Sequence, residues 1–86
     1  MSGIYYAPEH QPIEPELDAD QRPVAFRWRG RRFHITRIAN TYDAPEGTLL
    51  HPILRTYFLV ILRNGMLVLI YHDRIEHRWG IEFTYD

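Results

Sequence analysis

The chain has 86 residues, a formal net charge of −1 and no cysteine. This length allows a single domain, and the lack of cysteine excludes disulfides and thiolate metal sites. No apolar run approaches the roughly 20 residues of a membrane-spanning helix, and the first residues show no signal-peptide pattern. We therefore expect a cytoplasmic protein with no membrane partner.

Charge is distributed unevenly along the chain. Residues 1–21 contain five acids and no basic residue, whereas residues 22–86 contain ten arginines and six acids. The early segment is also rich in proline, and it has too few apolar residues to offset the entropy lost on ordering. We predict that residues 1–22 form a disordered acidic, proline-rich tail and that residues 23–86 form a small β domain. A domain of this size is marginally stable, which favours a partner subunit.

The first predicted element is a β-hairpin. Residues 24–28 alternate between apolar and polar or small side chains, and the alternation resumes at residues 33–36, as in strands with one buried face. The turn is either Arg29-Gly30 or Gly30-Arg31, both of which are two-residue loops with glycine supplying the positive φ. Both registers turn the aromatic side chains of the hairpin towards the core.

Residues 39–56 have no clear period. Residues 43–47 form a turn signal, and the apolar run that follows is interrupted by Pro52. We predict one irregular middle loop here. It either contains a helical turn that starts near Thr48 or His51, or it closes one end of the sheet as an apolar loop.

The clearest signal is a hairpin over residues 57–71. Asn64-Gly65 separates two strongly apolar runs, which is the strongest short-range hairpin pattern. Pairing across a two-residue turn places Leu62 opposite Leu67. One face then packs on the core, and the other is covered by barrel closure, by the middle loop or by a second copy of the chain. We assign a tentative interaction surface to four side chains on that other face: Leu59, Ile61, Val68 and Ile70.

A last strand over residues 79–85 follows a turn at residues 73–77. The chain therefore has five predicted strands with short antiparallel connections, apart from the middle loop. The predicted fold class is mostly β, a small five-stranded antiparallel sheet or partly open barrel with one irregular middle loop. Closure or dimerisation would remove the aggregation risk of long unpaired edges.

The first hairpin and the last strands carry a resemblance to a known family. The matching residues are Pro23–Phe33 with its Trp-Arg-Gly-Arg-Arg-Phe run, Tyr57-Phe58, Tyr71-His72-Asp73, Trp79 and Tyr85-Asp86. Residues 23–86 resemble a family of small bacterial domains of unknown function, found alone or at the C-terminus of the polymerase-like protein of the mutagenic repair system. That family continues with a tryptophan-rich segment where this chain has Ala39–Tyr42. The resemblance implies a β domain associated with DNA repair, and no known activity.

Basic residues cluster on or beside the first hairpin. One interpretation is a solvated face that covers apolar surface and discourages edge pairing. The other is a nucleic-acid interface in which guanidinium groups hold phosphates, without base stacking because the aromatic side chains point inward. We assign the tentative nucleic-acid-binding residues as Arg27, Arg29, Arg31, Arg32, His34 and Arg37.

Two weaker constellations concern metals and catalysis. His72-Asp73 and Glu76-His77 bracket a turn, but their spacing matches no established zinc pattern and polar residues are typical of turns. Glu82, His34 and Arg27 are the residue types of a small ribonuclease, although such types occur in most chains. We predict no metal, no cofactor and no catalytic residue, and we keep a ribonuclease-like enzyme as a remote alternative.

The sequence therefore favours a non-enzymatic binding module. Its leading form is a nucleic-acid-associated accessory domain linked to DNA repair. The alternative is a protein-interaction or homodimerisation module that uses the hairpin of residues 57–71, with a second copy or a repair protein as partner. A further hypothesis is that the acidic tail folds back over the arginines and competes with a polyanion.

Overall fold

The structure is a computed structural model that describes the backbone of residues 4–85 and the side chains of residues 10–85. The described residues form seven β-strands, and they include no helix long and apolar enough to cross a membrane. The strands are β1 (Ile4–Pro12), β2 (Glu14–Leu17), β3 (Pro23–Trp28), β4 (Arg31–Gly47), β5 (Pro52–Leu62), β6 (Leu67–Asp73) and β7 (Arg78–Tyr85).

The strands form one curled antiparallel sheet in the order β1-β7-β6-β5-β4-β3-β2. The edge strands β1 and β2 are separated along the chain by Ile13 alone, so the two edges must approach each other at this residue. Ile13 is buried, and its N–H donates to the Trp79 carbonyl at 3.3 Å. The predicted antiparallel β class and open, curled sheet are confirmed, and the sheet is a half-barrel. The predicted count of five strands is wrong.

The two additional strands, β1 and β2, lie in the segment predicted to be a disordered tail. Glu14 in β2 is opposite Arg27, and Ile4 in β1 is opposite Tyr85. Edge strands are held largely by backbone hydrogen bonds, which an acidic, proline-containing segment can still form. The prediction of disorder is therefore wrong for residues 4–17, while residues 1–3 of that tail lie outside the described residues.

The middle segment is also more regular than predicted. β4 and β5 continue as a long hairpin until Gly47 pairs with Pro52. Its turn is closed by Thr48 N–H donating to the His51 carbonyl at 3.1 Å and by His51 N–H donating to Thr48 Oγ1 at 3.0 Å. The prediction of an irregular loop is therefore wrong, as is the alternative of a helical turn within it. The strand was missed because residues 39–43 are exposed on both faces of the hairpin and show no apolar period.

The first hairpin follows one of the two predicted registers. Trp28 is opposite Arg31, and the turn residues Arg29 and Gly30 both have positive φ, 53° and 77°. This is the backbone of a type I′ turn, whose twist matches that of the flanking strands. The aromatic side chains pack against the core as predicted.

The hairpin of residues 57–71 is present, but its register differs by one residue from the prediction. Ile61, not Leu62, is opposite Leu67. Gly65 N–H donates to the Leu62 carbonyl at 2.9 Å and Gly65 has φ of 88°, so the loop has three residues and a glycine bulge rather than two. Because successive side chains of a strand point to opposite faces, a register shift of one residue changes which side chains of the two strands share a face.

The main core fills the inside of the curl. Its buried members are Ile13, Phe26, Ile35, Phe58, Val60, Leu62, Val68, Ile70 and Ile81. A second, smaller cluster of Tyr57, Leu69 and Tyr71 lies on the opposite face of the sheet. Both faces of β5 and β6 are therefore covered in part by the chain itself.

Candidate nucleic-acid interface

Two hairpin turns meet at one end of the sheet. Arg63, in the β5–β6 turn, donates its backbone N–H to the His34 carbonyl in β4 at 2.9 Å. This contact holds the turn beside the start of β4, and an open cleft of about 280 Å³ lies between them. The cleft is lined by Arg31, Arg32, Phe33, His34, Leu62, Arg63 and Asn64, and none of these residues is acidic.

A second shallow cleft, of about 170 Å³, lies on the β3 side of the same hairpin. Arg27 and Arg29 line it together with Glu14 and the corner at Ile13. Arg27 is opposite Arg32 in the sheet, so the two clefts flank one hairpin. We call the group formed by Arg27, Arg29, Arg31, Arg32 and Arg63 the basic end.

The aromatic side chains of this hairpin face inward. Trp28 and Phe33 pack against the main core, and Phe33 stacks on Phe26 with a centroid separation of 5.4 Å. The guanidinium carbon of Arg29 lies 4.5 Å from the Trp28 ring centroid, and that of Arg31 lies 5.4 Å from the Phe33 ring centroid. The rings thus support the arginines, and the surface offered to a ligand is guanidinium.

One carboxylate lies directly on the basic end. Glu16 in β2 accepts two hydrogen bonds from Arg32, Nε to Oε2 at 2.6 Å and Nη2 to Oε1 at 3.0 Å. The hydrogen bond from Arg32 lowers the pKa of the Glu16 carboxyl below its ordinary value. Within the described side chains, Arg27, Arg31 and Arg63 form no ion pair with a carboxylate.

The structure brings together five of the six residues predicted for nucleic-acid binding. The exception is Arg37, which is opposite Ile61 and lines a different cleft with Asp18 and Arg22. The sequence analysis missed Arg63. Its signal was available, because successive turns of an antiparallel meander alternate between the two ends and the turns at residues 29–30 and 63–65 are two apart.

The four residues predicted as an interaction surface do not share a face. Val68 and Ile70 are 1% and 0% exposed and belong to the main core. Leu59 and Ile61 are half-buried on the opposite face. The predicted grouping is therefore wrong, and the cause is the one-residue difference in register.

The polar residues around the β6–β7 turn have structural roles. Asp73 Oδ1 accepts hydrogen bonds from the N–H groups of Ile75 and Glu76 at 3.0 and 2.9 Å, and the ring of His72 stacks on Trp79. Burial opposes ionisation of Asp73, but the two backbone donors, with Arg55 and Arg78 nearby, lower its pKa below the ordinary value. Among the described side chains, no three metal-ligating groups are close enough to hold an ion.

The residue types of a ribonuclease are not assembled as the sequence suggested. Glu82 lies on β7, with its carboxylate 3.6 Å from Arg55 Nη1. Arg55 also lies over the Tyr71 ring, 4.1 Å from its centroid. Within the described part of the chain, no contact joins Glu82 to Arg27 or His34, so these three residues form no common site.

The chain matches no protein-family model, and comparison with curated proteins and with solved structures gives no significant match. The resemblance to a repair-associated family therefore stays a prediction. The geometry and charge of the basic end are the features of the molecule that bear on its function.

Proposed function

We propose that this protein is a non-enzymatic module that binds nucleic acid through its basic end. The observation that carries the proposal is the cleft between the two turns, which is lined by Arg31, Arg32 and Arg63 and by no acidic residue. Guanidinium groups hold phosphates through paired N–H donors in a fixed planar arrangement. A cleft with three of them is suited to a chain of phosphates.

The inward-facing rings indicate how such binding works. Trp28 and Phe33 are engaged with the core and with the guanidinium groups above them, so base stacking does not contribute to the proposed mode. Contacts to the phosphate backbone carry no sequence information of their own. We therefore propose affinity that depends weakly on base sequence and steeply on salt, because binding releases the counterions of the phosphates.

The proposed role in DNA repair has a different support. It comes from the resemblance of residues 23–86 to small domains associated with a bacterial mutagenic repair system. An accessory domain that adds non-specific affinity for DNA fits a repair assembly, since it keeps the partner enzyme close to its substrate.

Fluorescence anisotropy with labelled single-stranded and duplex DNA tests the proposal. The full chain is compared with a variant carrying Arg31→Gln and Arg63→Gln, at about 50 and 150 mM salt. We expect the wild-type affinity to fall strongly with salt. For single strands, the double variant should reduce the slope of log affinity against log salt by about 1.4, or 0.7 for each phosphate contact.

A matched control removes the same two charges elsewhere. Arg22 and Arg74 are both exposed and lie outside the basic end, so Arg22→Gln with Arg74→Gln should retain most of the affinity. The proposal is overturned if the wild type fails to bind at low salt, or if the control variant loses as much affinity as the cleft variant.

A further inference from the structure

We propose that Glu16 is a built-in competitor for the nucleic acid, occupying Arg32 in the way that a phosphate group would. This inference rests on the proposed function and concerns its regulation. The acidic strand β2 lowers the affinity of the basic end for nucleic acid. Only a ligand with several adjacent phosphates then displaces the Glu16 carboxylate from Arg32.

The geometry of the ion pair supports this role. Nε and Nη2 of Arg32 donate in parallel to the two oxygens of Glu16, at 2.6 and 3.0 Å. The same pair of donors binds two oxygens of a phosphate. Both side chains are about half exposed, 49% for Arg32 and 46% for Glu16, so an incoming phosphate can reach the guanidinium from solvent.

The register of β2 explains why its acids face the arginines. Glu14 is opposite Arg27, and Glu16 is opposite Ala25, which is in turn opposite His34. Residues paired across a sheet point to the same face, and alternate residues of one strand do so too. Both carboxylates of β2 therefore share the face of Arg27 and Arg32.

Few interactions hold β2 in place. It has four residues, pairs with β3 alone and shifts register between Glu16 and Leu17. Pro15 has no N–H to donate to the ladder, and Leu17 is 38% exposed. Short edge segments with so little burial open at low free-energy cost, whereas Ile13, the residue before the strand, is anchored in the core.

The experiment uses point variants, because truncating the first residues would also remove β1 and Ile13 from the fold. Anisotropy is measured for the wild type, Glu16→Gln and Asp20→Asn. Asp20 is exposed in the β2–β3 turn, so Asp20→Asn removes one negative charge without removing the contact to Arg32. We expect Glu16→Gln to tighten binding about two- to fivefold at low salt, the scale of an exposed but well-aligned ion pair, and Asp20→Asn to have a smaller effect.

A double-mutant cycle with Arg32→Gln separates competition from general charge. If Glu16 acts through Arg32, the gain from Glu16→Gln disappears in the Arg32→Gln background. Equal gains from Glu16→Gln and Asp20→Asn, or a gain that persists without Arg32, would overturn the competitor role and leave the proposed function standing. Loss of binding in every protein, wild type included, would overturn both.

Discussion

The two ends of the sheet use arginine in different ways. At the basic end, the β3–β4 and β5–β6 turns expose guanidinium groups. Arg32 pairs with Glu16, and among the described side chains Arg27, Arg31 and Arg63 form no ion pair with a carboxylate. The other end, which we call the leucine end, combines the β4–β5 turn at residues 48–51 with the β6–β7 turn at residues 74–77. Its three arginines each lie within 4.0 Å of a carboxylate: Arg55 of Glu46 and Glu82, Arg74 of Asp43, and Arg78 of Asp73.

The difference shows that the number of arginines does not indicate a binding surface. What matters is where the fold places the carboxylates. At the leucine end, the arginines are matched by carboxylates of the same chain. At the basic end, β2 supplies two acids, Glu14 and Glu16, against five arginines, so positive charge remains for a partner.

The largest effect on stability expected from a charged residue comes from removing the buried carboxylate of Asp73 at the leucine end. Asp73 is 2% exposed, and Asp73→Ala leaves the N–H groups of Ile75 and Glu76 without their acceptor. We expect a loss of about 1–3 kcal/mol in the free energy of unfolding, measured by urea denaturation. Asp73→Asn should lose less stability, because its amide oxygen can still accept the two backbone hydrogen bonds. This variant removes only the negative charge near Arg55 and Arg78.

The matched change at the basic end is Glu16→Gln. This pair is exposed, and exposed ion pairs contribute little to folding, so urea denaturation should give nearly the wild-type stability. The difference between the two ends is contradicted if Glu16→Gln lowers the free energy of unfolding as much as Asp73→Asn, the same acid-to-amide change at the leucine end.

A smaller effect is expected from pH, through two histidines whose pKa values burial lowers. Burial lowers the pKa of His10, and Arg78 and Arg55 lower it further. Burial also lowers the pKa of His72, with contributions from His77 and Arg74. The unfolded chain, in which both histidines titrate near 6.5, then binds more protons than the folded chain as the pH falls below that value. Stability should therefore decrease on acidification through about pH 6.5.

Urea denaturation at about pH 7.5 and 5.5 checks this expectation. Replacing both histidines, His10→Gln and His72→Gln, should reduce the difference between the two pH values, while Asp73 remains ionised throughout that range because its pKa is lowered. Stability that rises on acidification in the wild type, or a pH dependence unchanged in the double variant, would contradict the assignment.

Much of the fold could be predicted from local patterns, and the errors are those that local patterns cannot exclude. Alternation and turn residues located β3, the start of β4, the part of β5 from Tyr57 onwards, β6 and β7, because each of those segments buries one or both faces. β1 and β2 were not predicted because edge strands pair through the backbone, which an acidic, proline-containing segment can still do. The register of the second hairpin depended on whether its loop has two or three residues, and the pair Asn64-Gly65 is compatible with both.

In the candidate site, too, local sequence patterns indicate some residues, whereas others depend on contacts between distant segments. The arginines of the first hairpin could be identified from the sequence because they are neighbours along the chain. Arg63 is distant from them in sequence, and only the strand order, which brings two alternate turns to the same end, places its N–H on the His34 carbonyl. The sequence suggested an acidic tail near a basic face, but the pairing of Glu16 with Arg32 depends on the register of β2 against β3.

The smallest expected effect tests the leucine end itself. Leu49 and Leu50 are 101% and 86% exposed at the tip of the β4–β5 hairpin, so they bury nothing in a single chain. We expect Leu49→Ser with Leu50→Ser to change the free energy of unfolding by less than about 0.5 kcal/mol, measured by urea denaturation at two protein concentrations. Leu62 is 3% exposed in the core, and Leu62→Ser should lower the free energy of unfolding by at least about 2 kcal/mol. This control shows that the assay detects the loss of a buried leucine side chain. A loss at the tip that grows with protein concentration, together with a faster-sedimenting wild type, would contradict this prediction, because it would mean that a second copy of the chain covers the two leucines.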